Sequence, residues 1–184
     1  VAVDDGALAQ PHLDTQGSGV SRWRPPGEKS SPYITSDGYA ALQSELTALW
    51  ERRRHVTAAL SAAAAEGDRS ENAEYIYRKK ELREIDRRIR YLQKRMPDLK
   101  VVTESPAERT RVFFGAWVTL EDSGGVEAEY RIVGPDEFDP AKHWISMDSP
   151  LARALMKKAV DDDVQVKLPG GMAHYFIVKV RYTG

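Results

Sequence analysis

Tyr39, Leu42, Leu46, Leu49, Val56, Leu60 and Ala63 follow one another in alternating steps of three and four, with Arg53 taking the one place in that rhythm that is not apolar. Such a seam belongs to a helix that packs along a second helix. The rhythm stops at Gly67-Asp68-Arg69-Ser70-Glu71-Asn72 and returns as Tyr75, Arg78, Leu82, Ile85, Ile89, Leu92 and Met96. Two helices of similar length joined by so few residues must lie antiparallel. At ~1.5 Å per residue, a helix of about 28 residues reaches on the order of 40 Å. The first part of the chain is therefore expected to be a coiled-coil finger, too long and thin for a compact bundle.

Start and stop signals agree with this reading. Thr35, Ser36 or Asp37 can cap the first helix, Gly67 can end it, and Pro97 stops the second. The apolar seam supplies rigidity, at about 1.5–3 kcal/mol for each large side chain it buries. Arg53 and Arg78 interrupt it, so the distal half is expected to be weak unless acids or a partner satisfy those two cations.

Beyond Pro106 the period changes to two. Val112, Phe114, Ala116, Val118 and Leu120 alternate as in a strand, and a Ser123-Gly124-Gly125 turn leads into a second run over 126–133. Residues 143–147 read as a short strand. Residues 149–158 read as a helix capped by Ser149 with Pro150 at its first position, and 164–168 and 175–180 as strands around Pro169-Gly170-Gly171. The fold class is α+β, divided into a flexible N-terminal extension over 1–32, a coiled-coil finger over 33–103 and a small α+β domain over 104–184.

Composition narrows the chemistry. The chain of 184 residues has 30% charged and 41% hydrophobic residues and no cysteine, so disulfides, cysteine-held zinc and a thiol nucleophile are excluded. His12, His55, His143 and His174 are too scattered to suggest a metal site. The first 31 residues, rich in Gly, Pro and Ser with Asp4, Asp5 and Asp14, lack the basic start and apolar run of a secretory signal. No stretch approaches the roughly 18 uninterrupted apolar residues of a membrane helix, and a cytoplasmic location with no membrane partner is expected.

A formal net charge of −1 gives no general attraction to nucleic acid, so the placement of charge is what matters. Arg78, Lys79, Lys80, Arg83, Arg87, Arg88, Arg90, Lys94 and Arg95 crowd the second helix against Glu81, Glu84 and Asp86. Pairs such as Glu84 with Arg88 would each contribute only about 0.2–0.5 kcal/mol, and the excess of cations exceeds what such pairing absorbs.

Two sequence blocks, Gly67-Asp68-Arg69-Ser70-Glu71-Asn72-Ala73-Glu74-Tyr75 and Lys79-Lys80-Glu81-Leu82-Arg83-Glu84-Ile85-Asp86-Arg87-Arg88, closely resemble the bacterial transcript cleavage factors of the GreA/GreB transcription elongation family. The arginine-rich second helix brings the chain nearer to GreB. Val112-Phe113-Phe114-Gly115-Ala116-Trp117-Val118, Arg131-Ile132-Val133-Gly134 and Ile145-Ser146-Met147-Asp148-Ser149-Pro150-Leu151-Ala152-Arg153-Ala154-Leu155 resemble the same family's C-terminal domain. The likeness covers roughly residues 33–182. The extension over 1–31 has no counterpart in the short family members, and Asp161-Asp162-Asp163 stands where a glycine-containing turn is more usual.

The resemblance implies a coiled-coil finger followed by an FKBP-like domain, and a partner, bacterial RNA polymerase, entered through its secondary channel. It implies a factor that is not itself an enzyme. Such factors stimulate the polymerase to cleave the 3′ end of the nascent RNA in backtracked complexes. Asp68 and Glu71 then become the catalytic tip acids, sharing with the polymerase a Mg2+ that is held only in the complex. Two carboxylates alone would leave that ion mostly hydrated. The same pair also fits a capping box at the start of the second helix. Ser70 and Asn72 fit either a tip-supporting or a capping role, and Tyr75 fits the seam or a stack on an unpaired base. Arg78, Lys79, Lys80, Arg83, Arg87 and Arg90 make up the RNA-attracting face. Asp148, Ser149 and Pro150 make up a turn that docks on the rim coiled coil of the polymerase as well as capping a helix. Other readings are a channel-binding inhibitor of the same architecture, a prolyl isomerase with a coiled-coil arm, and a structural adaptor. The retained Asp68 and Glu71 favour cleavage stimulation, and no independent catalytic constellation supports an isomerase.

Overall fold

The computed structural model describes residues 29–65 and 72–182. After a short strand β1 (Tyr33–Thr35), helix α1 runs over Ser36–Ala65, 30 residues, and α2 over Ala73–Arg95, 23 residues. Thr35 caps α1, its Oγ1 accepting the Gly38 N–H at 3.0 Å. Lys94 and Arg95 lie in the last turn of α2, where cations complement the helix dipole, and Pro97 turns its end into a single 3-10 turn. The helices differ more in length than the seam suggests.

The seam holds as expected. Leu42, Val56 and Ala63 of α1 and Ile85, Ile89 and Leu92 of α2 are buried. They form two clusters. Ile34, Leu42 and Leu92 close the base with Tyr39, Leu46, Leu49, Met96 and Leu99 around them, and Val56, Ile85 and Ile89 fill the middle. Strand β2 (Lys100–Val102) pairs in parallel with β1, Tyr33 opposite Lys100, so that the chain entering the finger and the chain leaving it are hydrogen-bonded together.

The C-terminal half is a five-stranded sheet of β3 (Trp117–Asp122), β4 (Glu127–Val133), β5 (Trp144–Ser146), β6 (Asp163–Leu168) and β7 (Gly171–Arg181), in the order β5-β4-β3-β7-β6. Among the described residues of this sheet, only the β4–β5 pair is parallel. Helix α3 (Pro150–Leu155) supplies Ala152 and Leu155 to a core with Val112, Ala116, Val118, Leu120, Ile132, Val164 and Ile177. By strand alternation the opposite face carries one row across four strands, Trp144, Arg131, Trp117 and Arg181. Its guanidinium groups lie 4.6–5.4 Å from the indole centroids, in the range of cation–π attraction.

Three expectations need correction. The strand expected from Val112 begins at Trp117, because Gly115 takes a left-handed φ of +83° and the backbone turns there. The helix expected over 149–158 ends at Leu155, with Lys157 left-handed at φ +69° two residues on. The last strand starts at Gly171 rather than 175, since Gly171 itself takes φ +125° and closes a tight hairpin with β6. Asp161 of the acidic triplet takes a left-handed φ of +71°, the conformation a glycine would supply without cost.

Candidate functional site

Asp68, Ser70 and Glu71, with Gly67, lie outside the described residues. What is described is the frame that carries them. Asn72 caps α2, its Oδ1 accepting the Tyr75 N–H at 3.0 Å, while its Nδ2 donates to the carbonyl of Ala63 on α1, also at 3.0 Å. One carboxamide thus braces both helices at the distal end, and the capping role read for Asn72 is the one observed. Tyr75 is half-buried, with the Lys79 ammonium 5.5 Å from its ring centroid.

The two cations in the seam are both satisfied by acids. Arg53 donates through Nε to Asp86 at 2.7 Å, and Arg78 donates to Glu74 at 2.7 Å and Glu81 at 3.0 Å. Arg52 of α1 also binds Glu81. Burial opposes the charge of Glu81, but hydrogen bonds from Arg52 and Arg78 outweigh it and hold its pKa below the ordinary glutamate range. Arg52–Glu81 and Arg53–Asp86 therefore bridge the two helices beside the middle cluster, while Arg78 is paired with acids of its own helix.

Those bridges divide the basic residues into two sets. Arg78 is consumed by its acids, and Arg88 makes a two-pronged contact with Glu45 of α1, both bonds 2.7 Å, instead of pairing with Glu84 along its own helix. Arg95 binds Asp136. Among the described residues, Lys79, Lys80, Arg83, Arg87, Arg90 and Lys94 are exposed and make no ion pair. At 3.6 residues per turn these six fall within a sector of about 100°, centred roughly 160° from the buried Ile85–Ile89–Leu92 line. They make a cationic stripe ~22 Å long on the outer side of the finger, so Arg78 drops out of the expected face and Lys94 joins it.

At the turn expected to dock, Ser149 Oγ accepts the Ala152 N–H at 3.2 Å and Pro150 takes the first helical position of α3. Asp148 is drawn inward, its Oδ2 accepting the Ser31 N–H at 2.9 Å and its Oδ1 the Ser31 hydroxyl. Pro150 is exposed and Asp148 and Ser149 half-buried. The sequence reading missed the neighbouring Asp136 and Glu137, which reach across to the finger. Gly38 was the available signal, because a glycine in the first turns of a helix often marks a close approach.

Among the described residues no group of three or more His, Cys, Asp or Glu could hold a metal ion, and no helix is long and apolar enough to cross a membrane. Residues 32–101 match the family model described as transcription elongation factor, N-terminal, and residues 107–182 that of transcription elongation factor GreA/GreB, C-term. The chain is 59% identical over 166 residues to transcription elongation factor GreB of Xanthomonas axonopodis pv. citri, covering 89% of this chain and 99% of that protein. It is 58% identical over 164 residues to GreB of Pseudomonas aeruginosa, covering 89% and 98%. Among solved structures, the GreA factor homolog Gfh1 of Thermus thermophilus is 25% identical and covers 81% of this chain and 97% of that one, with a TM-score of 0.38, too low to carry an argument about shape. A braced helical finger joined to a five-stranded sheet, matched over both halves at this identity, places the chain in the GreA/GreB family of transcription elongation factors.

Proposed function

We propose that this chain binds bacterial RNA polymerase through its secondary channel and stimulates the polymerase's own cleavage of the RNA 3′ end in backtracked complexes. Family membership carries the coarser part of this reading, and the finger supports the finer part. Helix α1, at 30 residues and ~1.5 Å each, is about 45 Å long, enough to carry its tip well away from the sheet. The unpaired stripe from Lys79 to Lys94 gives an extruded RNA a phosphate-attracting track leading toward the tip. The protein acts where the polymerase is, in the cytoplasm.

In this reading Asp68 and Glu71 are the working residues of the tip. Their hard oxygen donors suit Mg2+ but fall far short of six ligands, so polymerase and RNA supply the rest. When bound, the ion supplies an activated water for attack on phosphorus and a counter-charge for the leaving oxygen. The chain's part is to present two carboxylates at the end of a rigid arm, and Asn72, by bracing both helices, is what steadies that end. Asp148, Ser149 and Pro150 are proposed to meet the rim coiled coil of the polymerase, with Pro150 the exposed member.

The test is RNA 3′ release from a stalled, backtracked elongation complex with and without the protein. Asp68→Asn and Glu71→Gln are expected to abolish stimulation while leaving polymerase binding largely intact. Cleavage unchanged in either variant refutes the assignment, and absence of release with the unaltered protein refutes the function.

A further inference from the structure

An arm that must deliver a tip into another protein's catalytic centre needs a fixed direction as well as length, and the described residues contain a device at its base that sets one. The 3-10 turn Pro135–Glu137, which follows β4, sends two adjacent carboxylates to the two helices of the finger. Glu137, only 9% exposed, takes α1. Its Oε2 accepts the Thr35 N–H and the Gly134 N–H, each at 3.0 Å, and its Oε1 accepts the Thr35 hydroxyl. That same hydroxyl oxygen caps α1 through Gly38, so the helix start is held by the sheet-bearing half of the molecule. Asp136, whose side chain is 4% exposed, takes the end of α2, accepting the Tyr91 hydroxyl and the Arg95 Nε–H, the latter at 2.8 Å.

Two glycines make the fit possible. A methyl group at Gly38 would overlap the carboxylate of Glu137, and one at Gly134 would overlap the carbonyl of Tyr33. The network continues into the docking turn, because Arg95 also donates to the Ser31 carbonyl while Ser31 donates to Asp148. Neither acid serves the apolar core. A buried carboxylate with three donors and no cation is an expensive way merely to join two units, since its desolvation is offset only while all three hydrogen bonds stand.

We infer that Asp136 and Glu137 are positioning residues that aim the finger, one for each helix, and that Gly38 is glycine in order to admit Glu137. The inference rests on the proposed cleavage role only for its functional consequence, and the geometry can be tested without polymerase. Because the chain has no cysteine, spin labels at Ala58→Cys on α1 and Gln165→Cys on β6, both exposed, report the angle between finger and sheet as a distance distribution. The parent should give one narrow distribution. Glu137→Ala, which removes all three hydrogen-bond acceptances, and Gly38→Ala, which displaces the carboxylate from the opposite side, should both broaden it. Glu137→Gln should restore it, since an amide oxygen can accept the two N–H groups and its NH2 can donate to the Thr35 hydroxyl oxygen.

Stimulated cleavage should fall on the order of 100-fold in the two alanine variants, the cost expected when reacting groups are misplaced by about 1 Å, and recover with Glu137→Gln. Helical circular dichroism identifies any variant that fails to fold, in which case Gly38→Ala and Glu137→Gln decide. An unbroadened distribution in folded alanine variants overturns the inference, and so does a broadened one with cleavage intact. If the unaltered protein stimulates no cleavage, the functional proposal fails while the distance measurements still judge the clamp.

Discussion

Ile89 sits in the middle of the finger, 3% exposed, against Val56, Ile85, Leu46, Leu49 and Leu82. Ile89→Ala removes three buried carbons, which at about 0.8 kcal/mol each amounts to roughly 2.4 kcal/mol before any cavity is counted. A two-helix finger can close on the gap from its solvent sides, so the total should stay near the lower end of the ~2–5 kcal/mol seen for such truncations. At about 1.4 kcal/mol per factor of ten, that is a loss of roughly 50-fold in the equilibrium against opening. Residue-resolved amide hydrogen exchange under native conditions measures it. Protection in α1 and α2 near Val56, Ile85 and Ile89 should drop by about that factor, while Val118 and Ile177 in the sheet keep theirs, because the sheet core shares no residue with the finger clusters. An equal drop in the sheet would refute the separation of the two cores. A change below about threefold in the finger, or ~0.7 kcal/mol, would refute the claim that the apolar seam holds it.

Two further outcomes bear on the finger's working parts. Asn72→Ala should cost about 1 kcal/mol, the usual worth of a helix N-cap, with the loss concentrated at the distal end of both helices because the same side chain reaches Ala63; denaturant titration followed by exchange at the distal amides reads it. Arg83→Glu with Arg87→Glu should weaken activity most on deeply backtracked complexes and flatten its salt dependence by about 0.7 in logarithmic slope for each single-strand phosphate no longer neutralised; equal loss on shallow and deep complexes would remove the stripe's assigned role.

Much of the finger is legible residue by residue. The alternating steps of three and four, the caps at its start and Pro97 at its end are local signals, and each helix obeys them. The fate of the charges is not local. Arg88 has Glu84 one turn away yet binds Glu45, which is 43 residues distant in sequence, because the antiparallel packing brings that carboxylate within 2.7 Å. Arg78, Lys79 and Lys80 are adjacent in sequence, but only the two lysines remain free for a partner, since the helix turns Arg78 toward Glu81 and the seam.

In the second half, period two located the sheet, and its errors lie where backbone chirality overrules pattern. Gly115, Lys157 and Gly171 take positive φ, so alternation or helical spacing that looks continuous is cut or extended there.

Periodicity and punctuation, which act over a few residues, dictate a long helical hairpin and an α+β second half, and the sequence puts Asp68 and Glu71 in the segment between the two helical patterns. The direction of the hairpin is dictated instead by Glu137 closing on Thr35 across 102 residues and Asp136 on Arg95 across 41. No spacing rule encodes such pairings, because hydrogen bonds between distant segments exist only once each segment has its own fold and the chain has brought them together.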